Sequence, residues 1–121
     1  MAMLRAIRGA TTVDADLADE IRDRTQSLVS LMLERNGVEI DDLVSMIFTS
    51  TPDLHAGFPA TAARALGLSE VPLLGATEAF VPGALERCIR VMLHCYSELP
   101  RSEIRHVYLE GARSLRADLA D

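Results

Sequence analysis

The spacing of apolar residues divides the chain into one long helix and several short strands. Between positions 17 and 32, apolar side chains recur near one face of a 3.6-residue period, at Leu17, Ile21, Leu28, Leu31 and Met32. This spacing predicts a helix, with Asp14 or Asp16 as its N-terminal cap and Gly37 just past its end.

Five other segments have the composition and length of strands. They are residues 3–9, residues 43–49, and the runs EVPLLGATE, LERCIRVMLHCY and IRHVYLE. A short alanine-rich helix is expected before Gly67, and residues 81–83 should form a turn. The pattern predicts an α/β (α+β) fold with a single mixed five-stranded sheet, one long helix and short helices.

The balance of elements also predicts association between copies of the chain. A chain of 121 residues is long enough for one compact domain, spanning residues 1–121. One principal helix covers only one face of a five-stranded sheet, so the other face stays under-covered. A homo-oligomer would bury that face.

The charged residues exclude several kinds of chemistry. The net charge is −6, which argues against a nucleic-acid partner. All twelve basic residues are arginine, so a lysine Schiff base, a lysine general base and a P-loop lysine are excluded. Binding of anions must therefore fall to arginine, whose planar fork suits carboxylates.

The two cysteines and the N-terminal segment indicate a cytoplasmic protein. Cys88 and Cys95 are seven residues apart, so on one strand their side chains face opposite sides and cannot pair. Their spacing from the nearby histidines fits no metal site, and free thiols suit a reducing compartment. No apolar run has the length of a membrane span, and arginines interrupt the start of the chain where a signal peptide would lie.

Arginine and tyrosine stand on strand faces that they share with apolar residues. Alternation places Arg90 opposite its neighbours in the run CIRVMLHC, and it gives Arg8 and Tyr108 similar positions on two other strands. A buried arginine needs an anionic partner, and the candidates are Glu78, Glu110 or a ligand carboxylate. The alternative is that these arginines reach past the sheet edge or form structural ion pairs.

Five ordered runs carry a resemblance to a known family. RAIRGATTV, STPDLHAGFPATAAR, VPLLGATE, CIRVM and IRHVYLEGARSLRADL together resemble the monofunctional AroH-class chorismate mutases, which are trimeric α/β enzymes. The similarity runs from Arg5 to about Leu119 without a large gap. It implies a homotrimer with a pseudo-α/β-barrel core and active sites at the subunit boundaries.

The resemblance also implies a reaction. Each site would convert chorismate to prephenate by an intramolecular Claisen [3,3] rearrangement, in the shikimate pathway to phenylalanine and tyrosine. Such an isomerase uses electrostatic stabilisation and conformational restraint, and it needs no covalent intermediate, metal or cofactor. The expected partners are chorismate, prephenate and the other copies of the chain.

The family's roles carry over residue by residue. Arg90 would be the cation that stabilises negative charge on the ether oxygen, and Glu78 would accept from the ring hydroxyl and hold Arg90. Arg8 and Tyr108 would bind carboxylates. The rest would line the site: Phe58 and Ala60 from the neighbouring subunit, Leu73 and Leu74 in the apolar wall, Arg64 at the entrance, and Leu115 and Arg116 in a C-terminal segment that orders over the ligand.

Two positions depart from the family pattern. Thr61 stands where a lysine can occur, and Gly75 stands where a cysteine can contact the substrate. Gly75 keeps its backbone N–H, so a main-chain contact survives. Losing a peripheral cation at Thr61 should weaken binding more than turnover.

Two other functions fit part of the pattern. An imine deaminase of the RidA-like kind would also use an interfacial arginine to hold a carboxylate, although the runs IRHVYLE and TPDLHAGFPA argue against it. A non-catalytic trimer would bind a small carboxylate without converting it. Ammonia release from an imino acid would identify the first, and saturable binding of chorismate without turnover the second.

Overall fold

A computed structural model describes residues 1–115 of the chain as five strands, two α-helices and three short 3₁₀ turns. The strands are β1 Met3–Thr12, β2 Leu43–Ser50, β3 Leu73–Thr77, β4 Cys88–Ser97 and β5 Val107–Tyr108. The helices are α1 Ala18–Arg35 and α2 Pro59–Arg64. The 3₁₀ turns are Ile40–Asp42, Arg101–Glu103 and Glu110–Ser114.

The strands form one mixed sheet in the order β3-β2-β4-β1-β5. β4 runs antiparallel to both β1 and β2, whereas β3 is parallel to β2 and β5 is parallel to β1. The predicted fold class, a mixed five-stranded sheet with one long helix, is confirmed. β3 and β5 form the two opposite edges.

β5 is much shorter than the run IRHVYLE predicts. Only Val107 and Tyr108 pair with β1. The backbone N–H and C=O of Arg105 bind the side chain of Asn36 instead, at 2.7 and 2.8 Å. Beyond the strand, Glu110 has a φ of 53°, which turns the chain away from the sheet. Hydrogen bonds to Asn36 therefore end the strand on its N-terminal side, and the backbone turn at Glu110 ends it on its C-terminal side.

The predicted cap of the long helix is wrong. α1 begins at Ala18, and the preceding Leu17 is 57% exposed with no side-chain cap bond. Asp16 accepts the backbone N–H groups of His55 and Ala56 at 2.9–3.0 Å, so its carboxylate braces a distant loop. Asp14 forms an ion pair with Arg24 at 3.1 Å. Neither aspartate caps the helix.

α1 packs on one face of the sheet and makes the main core there. Ile21, Leu28 and Met32 are buried on the helix, as predicted. Across from them, alternate residues of β4 are buried at Ile89, Val91, Leu93 and Cys95.

None of the helices in residues 1–115 combines the length and apolar character needed to cross a bilayer.

The opposite face of the sheet lacks such a cover within the described part of the chain. Leu4, Ile47 and Tyr96 are 54%, 37% and 52% exposed there.

Cys88 and Cys95 are buried free thiols that alternate to opposite faces of β4, as predicted. Burial is the main cause that raises the pKa of the Cys88 thiol to about 11, so this thiol stays protonated near neutral pH.

Candidate functional site

The strand register places polar residues side by side on the uncovered face. Arg90 on β4 is directly opposite Ala10 on β1, and Ala10 is opposite Tyr108 on β5. Arg8 lies two residues from Ala10 on β1 and therefore shares its face. Because neighbouring strands lie about 4.8 Å apart, the α-carbons of Arg90 and Tyr108 are separated by only about 10 Å.

Small residues between these side chains leave room for a ligand. A cleft of about 280 Å³ is lined by Arg8, Gly9, Ala10, Ile47, Thr49, Arg90, Val91, Met92 and Tyr108. We call this the arginine cleft. Tyr108 is 2% exposed, and within residues 1–115 its hydroxyl has no hydrogen-bond partner. A buried hydroxyl normally has a partner, so an acceptor on a ligand would satisfy it.

Glu78 is the anionic partner that holds Arg90. Its Oε2 atom lies 3.2 Å from Nε of Arg90, and the two side chains are only 20% and 37% exposed. The angle is not that of a hydrogen bond, so the contact is ionic and the Nε–H stays unbonded among the described groups. Glu110, the other candidate partner, lies 3.9 Å from Arg24 instead.

Thr49 fixes the carboxylate that faces Arg90. Its hydroxyl donates to the same Oε2 atom of Glu78 at 2.6 Å, and Thr49 is directly opposite Arg90 in the sheet. Thr49 is not among the site residues predicted from the sequence. Alternation along the predicted strand at 43–49 carried a signal, since Thr49 shares a face with Ile47, and both line the arginine cleft.

Arg8 and Tyr108 are tied together through the backbone. The N–H of Arg8 donates to Nδ1 of His106 at 3.0 Å, and His106 precedes Tyr108 by two residues. Leu115 packs against the small cluster formed by Ala10, Cys88, Tyr108 and Ala112. Arg116, also predicted in the site, lies outside the described residues.

The other predicted residues lie in a second cleft at the opposite edge of the sheet. Its volume is about 490 Å³, and its lining includes Phe58, Ala60, Thr61, Arg64, Leu73 and Gly75. We call this the β3-edge cleft. Leu74 alternates to the other face of β3, next to Ile47, and is 62% exposed. Leu73 and Gly75 alternate to the face of the sheet away from Arg90, so one protomer does not bring the lining of this cleft to the guanidinium.

The loop that carries Phe58 is braced from two sides. Asp16 binds its backbone at His55 and Ala56, as described above. Asp53 accepts the Thr51 hydroxyl at 2.5 Å and the Arg87 N–H at 2.9 Å. Burial acts to raise the pKa of the Asp53 carboxyl, but these hydrogen bonds outweigh it and the pKa is lowered. Phe58 itself is 79% exposed, held out from the surface by a fixed loop.

A third cleft continues from the other side of Arg90. It has a volume of about 330 Å³ and is lined by Glu78, Arg90 and the loop at residues 79–86. Phe80 and Val81 on this loop are 76% and 58% exposed. The sequence predicts only a turn at residues 81–83, because a loop without periodicity gives no sign of which strand it will face.

Comparisons with known proteins agree on one family. The family model for chorismate mutase type I matches residues 4–119. A chorismate mutase AroH from Bacillus subtilis (strain 168) is 46% identical over 98% of this chain and 94% of its own length. A chorismate mutase AroH from Thermus thermophilus is 48% identical over 97% of each chain.

A solved structure gives the same result for the fold. The chorismate mutase from Clostridium thermocellum superposes with a TM-score of 0.89 at 52% identity, covering 91% of this chain and 98% of the other. The resemblance noted in the sequence is thereby confirmed over nearly the whole length. On the family match and these full-length relatives, the chain belongs to the chorismate mutase type I family.

Proposed function

We propose that this chain converts chorismate to prephenate in the arginine cleft, by an intramolecular Claisen [3,3] rearrangement. The observation that carries the proposal is the geometry around Arg90. Its guanidinium is paired with Glu78 and opens into a cleft that also holds Arg8 and the Tyr108 hydroxyl, which has no hydrogen-bond partner within residues 1–115. Family membership supplies the substrate, and the cleft supplies groups that suit a dicarboxylate.

Arg90 is the group that lowers the barrier in this proposal. As the C–O bond of the ether breaks, negative charge builds on the oxygen, and a fixed cation beside it stabilises the transition state more than the ground state. Glu78 and Thr49 keep the guanidinium in place before the reaction begins, so little reorganisation is needed. Glu78 also accepts from the ring hydroxyl of the substrate.

Arg8 and Tyr108 orient the substrate. An arginine fork and a hydroxyl suit the two oxygens of a carboxylate, and holding both carboxylates brings the enolpyruvyl arm over the ring. The rearrangement moves no proton between enzyme and substrate. Positioning and electrostatics are therefore the whole task of these residues.

We further propose that the working enzyme is a homotrimer with its sites between subunits. The arginine cleft and the β3-edge cleft are separate within one protomer, and in this proposal a neighbouring subunit brings them together. Phe58 and Ala60 would then close the site from the neighbour, with Arg64 at its entrance. Leu73, Leu74 and the segment with Leu115 and Arg116 would complete the walls.

The remaining parts of the proposal concern binding contacts and location. Thr61 and Gly75 line the β3-edge cleft, and Gly75 would contribute a backbone N–H where the family can use a cysteine. Thr61 brings no charge, so its effect falls on affinity. The free thiols favour a cytoplasmic location, and the net charge of −6 disfavours nucleic acid as a partner.

The test is conversion of chorismate by the purified protein and by variants at Arg90. Arg90→Ala should lower kcat by at least about 10²–10³, the scale for removing one donor to a developing oxyanion. Arg90→Lys should also fail, because a point charge cannot bridge two oxygens as the guanidinium does. Prephenate is identified directly, so that loss of chorismate by other routes is not counted.

Arg22→Ala is the matched control. Arg22 lies on the exposed side of α1 and pairs only with its neighbours Asp19 and Asp23 among the ion pairs described. Its removal should leave kcat unchanged. Near-wild-type turnover by either Arg90 variant would contradict the mechanism. A folded wild-type protein that binds chorismate without converting it would instead favour a carboxylate-binding protein, and imino acids would be tested next.

A further inference from the structure

His106 ends the pairing between β1 and β5 in an unusual way. The two strands pair only at Gly9 with Val107 and at Ala10 with Tyr108. One residue before that pairing, the N–H of Arg8 donates to the Nδ1 atom of His106 at 3.0 Å, where a regular ladder would offer a backbone carbonyl. The imidazole therefore takes the place of a main-chain acceptor.

This hydrogen bond fixes the protonation state of the ring. A backbone amide can only donate, so Nδ1 must be the unprotonated acceptor and the neutral ring carries its proton on Nε2. A proton on Nδ1 would place two donors face to face. The contact therefore exists only while the imidazole is neutral.

The bond joins Arg8, which lines the arginine cleft, to the residue just before β5. Arg8 donates it from its own backbone, and Tyr108 follows His106 by two residues on the same side of β5. Among residues 1–115, the pairing with β1 is flanked by the Asn36 side chain, which binds the backbone of Arg105, and by the Leu109 N–H, which donates to Ala10 at 2.9 Å. The hydrogen bond of His106 thus adds to the strand pairing that places Tyr108 beside Arg8.

We propose that His106 is a positioning residue for substrate binding, which holds the backbone of Arg8 beside Tyr108 through its unprotonated Nδ1 atom and releases it in acid. The proposal rests on the function assigned above to the arginine cleft. His106 acts through Arg8 and does not contact the substrate. Its loss should therefore change the affinity for the carboxylates more than the rate of the rearrangement.

The surroundings of His106 make its response to acid specific. It lines a cleft of about 400 Å³ together with Arg5 on β1, His94 on β4 and Arg101 in the 3₁₀ turn. These three are the other titratable or charged groups lining that cleft, and Arg8 adjoins it through the hydrogen bond. All are basic, and a proton on Nδ1 of His106 would remove the acceptor that Arg8 uses.

Two substitutions at His106 distinguish the loss of the hydrogen-bond acceptor from the loss of a group that can gain a proton. His106→Asn can present Oδ1 close to the position of Nδ1, and an amide does not titrate. His106→Leu presents no acceptor. We expect His106→Leu to raise KM for chorismate roughly tenfold at pH 7.5 with kcat within about threefold, because one donor loses its partner. His106→Asn should keep KM within about threefold of wild type.

The pH profile supplies the second readout. In the wild type, kcat/KM should fall through a rise in KM as the pH drops into the range where imidazoles gain a proton. In His106→Asn this acid limb should be absent or moved to lower pH. The control is His94→Asn, which changes the other histidine of the same cleft and should keep the acid limb. Should His106→Leu fail to fold, this comparison decides the matter.

A third readout does not depend on turnover. Hydrogen exchange of the Arg8 amide, followed by NMR, should be slow in the wild type and in His106→Asn, and faster in His106→Leu. In the wild type alone it should quicken in acid beyond the general change in exchange rate. An Arg8 amide that stays equally protected in His106→Leu, or an acid limb unchanged in His106→Asn, would overturn the proposal. A wild type that fails to convert chorismate would refute the proposed function, and the Arg8 exchange would still test His106.

Discussion

One carboxylate oxygen of Glu78 serves two residues. Its Oε2 atom accepts the hydroxyl of Thr49 at 2.6 Å and lies 3.2 Å from Nε of Arg90. Without the hydroxyl, the carboxylate could turn about its last torsion, which has a broad rotamer distribution. The position of the Arg90 guanidinium thus depends on an uncharged residue, Thr49, on the neighbouring strand.

Thr49→Val should therefore reduce kcat although it removes no charge. A hydrogen bond to a charged group contributes about 1.5–3 kcal/mol, so we expect kcat to fall at least about tenfold with KM changed less. Thr49→Ser retains the hydroxyl and should stay within about threefold of wild type. Steady-state kinetics on both variants measure the difference.

Thr11 provides a control for the replacement of a threonine in the sheet by valine. The Thr11 hydroxyl is buried and, within residues 1–115, has no hydrogen-bond partner. Thr11 faces away from the arginine cleft, so Thr11→Val should leave kcat unchanged and stability unchanged or higher. Equal kcat in Thr49→Val and wild type would remove Thr49 from the support of Glu78.

At the scale of elements, periodicity predicted what the segments are but not where they end. Alternation in CIRVMLHC put Arg90 on the face opposite Ile89 and Val91, and the structure confirms it. The ends of α1 and β5 depend on distant partners: Asp16 serves the loop at His55, and Asn36 takes the backbone groups of Arg105. A single sequence does not reveal such long-range bonds.

The same limit applies to the site. The face of each arginine followed from alternation, but their proximity depends on register, which sets Ala10 between Arg90 and Tyr108. Which carboxylate pairs with Arg90 also depended on the path of the loop after β3. Residue roles came from the family resemblance, whereas the two separate clefts came only from the folded chain.

Asn36 shows how a single side chain sets the end of an element. Its amide donates to the carbonyls of Met32 and Arg105 at 2.8 Å each, and its oxygen accepts the Arg105 N–H at 2.7 Å. Asn36 is 5% exposed, so Asn36→Ala leaves buried groups unpaired. We expect the free energy of unfolding to fall by about 2–4 kcal/mol. Urea unfolding at one fixed protein concentration measures it.

Gln26 supplies a comparison on the same helix. It donates one hydrogen bond to the carbonyl of Ala62 at 3.1 Å, and it is only partly buried. Gln26→Ala should therefore cost less than about 1 kcal/mol. If Asn36→Ala is no more destabilising than Gln26→Ala, the end of α1 is held chiefly by apolar packing.

At the scale of the whole molecule, the proposed trimer would account for both the exposed apolar residues and the two separate clefts. Phe58, Leu74 and Tyr96 are more than half exposed, and contact with a neighbouring subunit would cover them. A cyclic trimer joins two different surfaces at each boundary, so the arginine cleft of one subunit can meet the β3-edge cleft of the next. The site would then be complete only in the assembly.

Mixing two inactive variants tests this arrangement directly. Arg90→Ala removes the cation from the arginine cleft, and Arg64→Glu places a repelling charge at the exposed entrance of the β3-edge cleft. Each variant alone should be nearly inactive. When the two are unfolded together and refolded in equal amounts, about one boundary in four receives both intact halves. Activity should therefore return to roughly a quarter of wild type, with sedimentation reporting the mass of three chains.

The double variant Arg90→Ala/Arg64→Glu separates complementation from simple dilution. Refolded with either single variant, it provides no boundary with two intact halves, so activity should stay at the level of the parents. If each site lies within one protomer, the mixture of single variants will show only the sum of its parents. That result, or full activity from a proven monomer, would contradict the intersubunit site while leaving the role of Arg90 intact. Recovery confined to the single-variant mixture would require Arg90 and Arg64 to serve one substrate molecule from two different chains.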